Sequence, residues 1–272
     1  MLSKVEVRPQ QGNLLTLLLS NPDNGFIVRG IEGLGPVKAE LVSTSYARMD
    51  GAQPMSARRG ERDILITLGI DPRWGIQTVE ELRRALYRFF MPKMYVDLTF
   101  FTDTLNVVIN GQIESMDPVL FTEDPEVTIS IRCYDPDFID PTVRTEDGWT
   151  GTDADYVTID YQGSVDTGFV FQIVLADVMS QFTVEQRING SVVETMEFVG
   201  GLFGGNIVDV STVPGNKFVH VTDAGYRKSA LFMMSPYSPW LTLKPGTNEI
   251  RIQSDAELQP WSMTWTDRHG GL

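Results

Sequence analysis

Short segments of alternating apolar and polar residues, separated by turn residues, restrict the fold of this 272-residue chain more than any other feature. Asn189-Gly190 stands between two such segments, residues 182–188 and 191–194. Alternation predicts strands with one buried face, and an Asn-Gly pair favours the positive φ angles of a type I′ turn. Asn110-Gly111 also stands between two β-prone runs. We therefore predict a hairpin at each Asn-Gly pair.

One amphipathic helix is predicted among the strands. Thr78 and Glu81 have the spacing of a capping box, in which each side chain satisfies a free backbone N–H group. Apolar residues then recur at helical spacing: Val79, Leu82, Leu86 and Phe89. Because Pro92 limits the extension, the helix is predicted over residues 78–90. The second half shows no comparable period and is predicted to be essentially all-β.

Other β-prone runs complete the prediction of fold class. They lie at residues 64–69, 126–132, 156–161, 169–175 and 248–253. Their short lengths and the frequent turn signals between them favour sandwiches or barrels over a parallel α/β sheet. The predicted class is mainly β, with a first-half β-sandwich or barrel-like domain covered by the helix and a second-half β-sandwich.

The distribution of charge suggests two domains. Residues 1–136 carry 14 basic and 18 acidic side chains, whereas residues 137–272 carry 8 and 18. The change coincides with the Pro-rich stretch 135–141, so the predicted domains are 1–136 and 137–272. The net charge of −14 argues against nucleic-acid binding through phosphate neutralisation as the main function.

Several protein classes are excluded by composition. The lone Cys133 rules out an internal disulfide framework and is expected to be a buried structural thiol. No apolar run approaches the roughly 20 residues that span a bilayer, so membrane insertion is not expected. The N-terminal residues lack the apolar core of a signal peptide, which favours a reducing cytoplasm, at least during folding.

The chain lacks the usual signatures of a catalytic or metal centre. His220 and His269 are its two histidines, and no zinc-site spacing or Gly-x-Ser-x-Gly elbow occurs. The glycine-rich residues 200–205 lack the Lys-Ser/Thr of a phosphate loop and are interpreted as a mobile loop. We expect no enzyme activity, no catalytic residue, no metal and no cofactor.

Acidic pairs leave two weaker alternatives open. Asp153 and Asp155 could serve as glycosidase carboxylates or as calcium ligands. The chain has 36 acidic residues, so chance pairs are expected and a solvated acidic face is the favoured interpretation.

The aromatic residues of the second half have two interpretations. Trp149 and Tyr156 are candidates for a platform on which sugar rings stack. Trp240, Trp261 and Trp265 are expected in the core, because residues 261–265 alternate as a strand does.

The polar stretch from Ser43 to Asp63 is predicted to be a long loop between two strands. Loops above about 12–15 residues are uncommon in compact domains and usually bind something, although a solvated excursion remains an alternative. Its polar side chains include Tyr46, Arg48, Asp50, Gln53, Arg58, Arg59, Glu61 and Arg62.

Motifs along nearly the whole chain, taken in order, resemble the distal tail protein family of long-tailed, siphovirus-type bacteriophages. They are Asp50-Gly51-Ala52-Gln53 with Arg58-Arg59-Gly60-Glu61-Arg62 and the run 64–69; Leu86-Tyr87-Arg88-Phe89-Phe90-Met91-Pro92-Lys93; Gly111-Gln112-Ile113-Glu114-Ser115 leading to Phe121 and to Cys133-Tyr134-Asp135-Pro136-Asp137-Phe138; and Leu243-Lys244-Pro245-Gly246-Thr247-Asn248-Glu249-Ile250 with Trp261, Trp265 and Gly270-Gly271-Leu272.

The resemblance implies a structural virion protein at the phage tail tip, assembled in the host cytoplasm. In that family six copies form a ring, built by the N-terminal domain, while a galectin-like jelly-roll domain projects outward. The ring joins the tail tube protein to the tail hub, leaves a channel for DNA and tape-measure protein, and offers a docking platform for receptor-binding proteins. A net negative chain suits a conduit that does not trap passing DNA.

This resemblance gives the 43–63 stretch a role in contacts between subunits. Arg58, Arg59 and Arg62 are expected to pair with carboxylates of a neighbouring copy, because the guanidinium fork forms bidentate pairs. The alternatives are a carbohydrate-binding module for host-surface recognition, a tail-borne glycoside hydrolase and the tail tube protein itself. The second domain argues against the tube protein.

Overall fold

The computed structural model describes residues 1–20, 24–47, 50–72, 77–119 and 122–272, so Arg48 and Phe121 lie outside the described residues. The helices are α1 (Val79–Tyr87) and the short 3₁₀ helix η1 (Leu231–Met233). The strands are β1 (Leu2–Pro9), β2 (Leu15–Leu18), β3 (Phe26–Glu32), β4 (Ala39–Ser45), β5 (Ala52–Arg59), β6 (Arg62–Ile70), β7 (Tyr95–Thr102), β8 (Asn106–Val119), β9 (Glu126–Cys133), β10 (Phe138–Trp149), β11 (Val157–Tyr161), β12 (Val170–Val174), β13 (Met179–Ile188), β14 (Ser191–Leu202), β15 (Ile207–Ser211), β16 (Phe218–Asp223), β17 (Tyr226–Ser229), β18 (Gly246–Ser254) and β19 (Pro260–His269).

The chain divides into two compact units. The first comprises Met1–Pro141 together with His269–Leu272, and the second comprises Thr142–Arg268. The prediction of a mainly β protein with one α-helix is confirmed for the described residues. Within those residues, neither helix has the length and apolar character needed to cross a membrane.

The first unit is built on antiparallel strands in the order β2-β1-β7-β8-β9-β6-β3. The long strand β8 joins two ladders, because its first half pairs with β7 and its second half with β9. The register shifts between Ile113 and Ser115, and such a bulge bends a strand. The sheet therefore curves in the manner of a barrel, with β10 beginning beside β8 at the pair Ile139 and Val108.

Helix α1 covers the core of the first unit. Leu82 and Leu86 are buried in the same cluster as the inward residues of β1, β6, β7, β8 and β9. The predicted capping box is confirmed, with Thr78 as N-cap and Glu81 returning its carboxylate to the Thr78 N–H. The helix ends at Tyr87, short of the predicted residue 90, because the Arg88 N–H turns back to the Ala85 carbonyl.

The second unit is a β-sandwich. One layer has the order β17-β16-β15-β12-β19-β10, and the other has the order β11-β18-β13-β14. Phe171 from the first layer meets Phe182 and Phe198 from the second, and the rings of Phe182 and Phe198 stack at 4.4 Å. Trp261 and Trp265 are buried in this core, as predicted, and Trp240 packs against it.

The two Asn-Gly pairs have different structures. Asn189 and Gly190 have φ of 51° and 75° and form the tight turn between β13 and β14, so that hairpin is confirmed. Asn110 and Gly111 lie inside β8, so the hairpin predicted there is wrong. A Cβ at Gly111 would lie 2.6 Å from Ile131 Cγ2, which shows that this glycine permits close packing and is not needed for a turn.

The interpretation of residues 200–205 as a mobile loop is also wrong. Residues 200–202 belong to β14, and the chain then makes a hydrogen-bonded turn. The Phe203 N–H donates to Asn206 Oδ1 at 3.0 Å, and the Gly205 N–H donates to the Leu175 carbonyl at 2.7 Å. These bonds fix the turn to the rest of the sandwich.

Candidate functional site

A hairpin without a covering layer is the most unusual feature of the first unit. Strands β4 and β5 pair with each other and, among the described residues, with no other strand. All their described residues are exposed. The stretch from Ser43 to Asp63 was predicted as a loop, and this is corrected: it contains most of the hairpin and the start of β6. With solvent on both faces, the hairpin has no alternation for sequence reasoning to detect.

Large apolar side chains project from this hairpin. Leu41 is 75% exposed and Met55 is 64% exposed, and Val42 and Tyr46 are also exposed. An isolated two-stranded hairpin is at best marginally stable in water. Exposed apolar groups on such an element indicate a surface that another molecule covers. Leu41 and Met55 were missed because Leu41 precedes the stretch and only the polar residues within it were considered.

Arg58, the outermost of the predicted interface arginines, lies on the hairpin. Its Nε donates to Glu40 Oε2 at 2.6 Å across the two strands. Both side chains are exposed, and such an ion pair contributes about 0–1 kcal/mol. Arg58 is therefore free to exchange this partner for a carboxylate on another molecule at little cost.

Arg59 holds the base of the hairpin to the body of the unit. Its two terminal nitrogens bond the two carboxylate oxygens of Asp137, with Nη2 to Oδ2 at 2.9 Å. Asp137 is 4% exposed. This bidentate contact is of the kind predicted for Arg59, but its acceptor lies in the same unit of the same chain.

Arg62 lies inside the first unit with an exposure of 1%. Its Nε donates to the Pro136 carbonyl at 2.7 Å, Nη1 donates to the carbonyls of Gly33 and Gly35, and Nη2 donates to the Gly270 carbonyl at 2.6 Å. Burial lowers the pKa of the guanidinium. Because these backbone acceptors occupy all three nitrogens, Arg62 is a buried anchor of the hairpin base and is not at the surface.

The structure thus separates the three predicted arginines. Arg59 and Arg62 meet at the base of the hairpin, whereas Arg58 lies on its exposed part. No local signal distinguishes them, because the acceptors that decide their roles lie 27 to 208 positions away for Arg62 and 78 positions away for Arg59. Arg58 remains as the exposed candidate for contacts between subunits.

Trp149, the first candidate for a carbohydrate platform, lines a surface cavity of the second unit. Its side chain is 59% exposed. The cavity has a volume of about 270 Å³ and also contains Asp147, Gln172 and Ser262. An exposed indole beside amide, carboxylate and hydroxyl groups provides a stacking face and hydrogen-bonding partners.

Tyr156, the second candidate, is not among the residues that line this cavity. Its ring lies 3.8 Å from the Arg187 guanidinium and 4.5 Å from that of Arg251. Its hydroxyl donates to Glu185 Oε1 at 2.8 Å, and burial, followed by this bond, raises the pKa of Tyr156. Both guanidiniums and the carboxylate already engage the phenol, so Tyr156 belongs to a cluster separate from the Trp149 cavity.

The acidic candidates of the second unit line one cavity. Asp153 and Asp155 line a cavity of about 520 Å³ with Glu257, whose carboxylate accepts the Thr152 N–H and hydroxyl. These bonds lower the pKa of Glu257. Across the described ranges, no three His, Cys, Asp or Glu side chains form a group that could hold a metal ion.

The two histidines and the cysteine lie in strands. His220 lies in β16 with its ring 4.5 Å from that of Phe218. His269 ends β19. Cys133 is a buried free thiol, as predicted, and burial raises its pKa to about 12, which suppresses the reactive thiolate.

Comparisons with known proteins agree with this architecture. Residues 162–269 match the family model of the siphovirus-type tail component, C-terminal domain, named for the Dit protein of phage SPP1. For this part of the chain, the match confirms the resemblance to the distal tail protein family.

The crystal structure of SPP1 Dit superimposes on 97% of this chain and 98% of that chain, with 18% identity and a TM-score of 0.71. SPP1 Dit is described as a paradigm of the hub adsorption apparatus in phages that infect Gram-positive bacteria. The fold of the present chain is therefore that of Dit.

Two chains from the activated baseplate of phage P2 are more distant. With Ca the match has 8% identity, covers 100% of both chains and has a TM-score of 0.47. With Sr the values are 9%, 99% of both chains and 0.44. The comparison with curated proteins gave no match.

Proposed function

We propose that this chain is a distal tail protein, a structural component of the tail tip of a siphovirus-type phage. Six copies form a ring that connects the tail tube to the hub or baseplate. The predicted domain 1–136 builds the ring, and the galectin-like domain 137–272 faces outward as a docking platform for receptor-binding proteins. The uncovered hairpin of β4 and β5 is the observation that supports assembly most directly.

In this proposal, a neighbouring copy covers the hairpin. Burying Leu41 and Met55 against another subunit supplies the hydrophobic contact that the hairpin lacks in its own chain. Arg58 then lies at the rim of the contact, where a carboxylate of the neighbour can replace Glu40. The bonds of Arg59 and Arg62 hold the hairpin base in place, which lowers the entropy lost on assembly.

The charge of the chain suits the proposed channel. With a net charge of −14, the walls of a ring of such chains repel DNA and leave it free to pass without specific binding. The proposal places the protein in the virion after assembly in the host cytoplasm. It includes no catalytic role and no cofactor.

Negative-stain electron microscopy with a parallel measurement of solution mass tests the ring. The full-length protein, mixed with its tail tube and hub proteins, is expected to form six-subunit rings with a central hole. Leu41→Ser with Met55→Ser should prevent ring formation while leaving thermal unfolding unchanged. Val143→Ser is the matched control, because Val143 is 62% exposed on a different strand. A monomer that stays out of tails, or rings formed equally by the double variant, would contradict the proposal.

Recognition of carbohydrate by the second unit is the alternative function. The exposed Trp149 and its cavity favour it, whereas Tyr156 does not contribute to that cavity. Calorimetry of the full-length chain with host-surface glycans would detect binding. Trp149→Ala should abolish it, and Tyr156→Phe should leave it unchanged. Absence of binding to any glycan on an array would exclude this alternative.

A further inference from the structure

The segment after β17 presents large apolar side chains to solvent. Tyr237 is 94% exposed, Phe232 is 84% exposed and Leu231 is 51% exposed. Single exposed apolar residues are common on proteins, but a group of aromatic and aliphatic side chains marks an interaction site. We call residues 231–240 the aromatic segment.

The exposure of the aromatic segment does not result from a loose chain. The Ala230 N–H donates to the Val219 carbonyl at 2.8 Å, next to β17 in one layer of the sandwich. The Ser235 N–H donates to the Glu197 carbonyl at 2.9 Å, in β14 of the other layer. The Glu197 N–H in turn donates to Ser238 Oγ at 2.9 Å. The segment is thus fixed to both layers, and a partner would lose little entropy in ordering it.

Tyr237 lies in a defined turn. The Ser238 N–H donates to the Ser235 carbonyl at 3.0 Å, which closes a four-residue turn. Pro236 occupies the second position, where its fixed φ favours this geometry. The turn therefore holds Tyr237 outward in a reproducible position.

A concave surface adjoins these side chains. The cavity has a volume of about 610 Å³, and its walls include Leu231, Phe232, Met234, Pro236 and Trp240. A cavity with apolar walls can accept a large side chain from a partner, as anchor residues do at protein interfaces. A flat lipid surface could not fill it.

A basic side chain lies beside the cavity of this acidic chain. Residues 217–240 carry three basic side chains and one acidic side chain, within a half that carries 8 and 18. The Lys217 ammonium lies 5.5 Å above the ring of Trp240, and Lys228 lies on the exposed strand β17. The Lys217 ammonium beside the cavity favours an acidic protein partner, while the net charge of −14 opposes binding to an anionic membrane.

We propose that the aromatic segment is a docking site for an acidic segment of another tail protein, which inserts a large apolar side chain into the cavity. Phe232 and Tyr237 serve as the aromatic anchors. Lys217 and Lys228 face carboxylates of the partner. The inference rests on the proposed function, since the partner is sought among the proteins of the tail.

Zero-length coupling of amines to carboxylates by a carbodiimide in purified native tails tests the proposal. Mass spectrometry is expected to find Lys217 or Lys228 joined to Asp or Glu of a different tail protein. Lys244, whose Nζ lies 2.6 Å from Asp166 Oδ2 in the same chain, provides the internal control that the reagent has acted. Links to a second copy of this chain, or none at these two lysines, would overturn the docking proposal alone. Absence of the chain from purified tails would overturn the proposed function with it.

Substitution of the anchors gives an independent measurement. Phe232→Ser with Tyr237→Ser should reduce retention of the cross-linked partner in tails about tenfold or more, without changing incorporation of the chain itself. Phe203→Ser is the control, because Phe203 is 64% exposed in the same unit and does not line the cavity. Unchanged retention would contradict the proposal. Flotation of the purified chain with phosphatidylglycerol vesicles, lost in the double variant, would replace the protein partner with a membrane.

Discussion

The guanidinium of Arg62 donates from Nη2 to the carbonyl oxygen of Gly270 at 2.6 Å, although the two residues are 208 positions apart. The same side chain bonds the carbonyls of Gly33, Gly35 and Pro136 and lies 4.4 Å over the ring of Phe138. Carbonyl dipoles and a ring face replace the water that a buried cation loses. Four separate parts of the first unit are thereby joined through one side chain.

Replacing this side chain should strongly destabilise the protein. Arg62→Met keeps an apolar stem but removes all four of these hydrogen bonds, one of them to the carbonyl of the buried Gly270, so we expect the free energy of unfolding to fall by about 3–5 kcal/mol. Urea denaturation followed by circular dichroism measures the change. Arg58→Met is the matched control and should change stability by less than about 1 kcal/mol, because its ion pair is exposed. Equal effects of the two variants would contradict the assigned role.

Removing the other end of the same contact should have a related effect. Deletion of residues 270–272 removes the Gly270 acceptor and the bond from the Leu272 N–H to the Leu34 carbonyl. We expect a loss of about 1–3 kcal/mol, smaller than for Arg62→Met because the other acceptors of Arg62 remain. In a double-mutant cycle, the deletion should cost less in the Arg62→Met background than in the wild type. Simple additivity of the two changes would show that the contact does not couple them.

Alanine substitutions at Gly111 and at Gly190 should destabilise the protein for different reasons. Gly190→Ala puts a side chain at φ 75°, for which we expect a cost of roughly 1 kcal/mol. Gly111→Ala would place Cβ 2.6 Å from Ile131 Cγ2 and 2.8 Å from Cys133 Sγ, with an overpacking cost of about 1–3 kcal/mol. Replacing Ile131 by Ala in the same chain removes Cγ2 and should therefore relieve part of the second cost and none of the first. The urea midpoints of the single and double variants measure both stability costs.

The protein should lose stability at high pH, because the buried Cys133 thiol and Tyr161 phenol resist deprotonation in the folded state. Burial raises the pKa of Cys133 from 9.0 to about 12, and that of Tyr161 from 10.0 to about 12. Both groups keep their protons in the folded state at pH values where the unfolded chain has lost them. Their stabilising contribution is therefore complete below pH 9 and is lost as the pH rises towards 12.

Denaturation between pH about 8 and about 11 measures this loss. Cys133→Ala should make stability fall less steeply with pH, because the variant has no thiol to titrate. The native thiol should also resist dithionitrobenzoate until the protein is unfolded. Rapid reaction of the folded protein, or the same slope in the variant, would show that the thiol is accessible.

Local patterns were sufficient to predict much of the fold. The capping box at Thr78 and Glu81 and the turn at Asn189-Gly190 depend only on neighbouring residues, and both are present as predicted. Alternation located the buried strands because a half-buried strand imposes it on the sequence. The same reasoning failed at Gly111, since the Ile131 side chain that excludes a Cβ is 20 positions away in the chain.

The candidate site was much less predictable. The hairpin of β4 and β5 is exposed on both faces, so its sequence has no period by which to recognise it. The different roles of Arg58 and Arg62 depend on acceptors that only the folded chain brings together. No prediction was made for Phe232 and Tyr237, because only Trp240, Trp261 and Trp265 were assigned to the core and only Trp149 and Tyr156 to an exposed platform.

Residues His269–Leu272 belong to the first unit, although the whole of Thr142–Arg268 separates them from the rest of it. A ribosome therefore synthesises the second unit before it releases the segment that bonds Arg62. The first unit cannot complete its hydrogen bonds when residues 1–141 have been translated, because residues 269–272 have not yet been synthesised. Nascent chains still being made are thus unable to present a finished hairpin base until translation has passed the second unit.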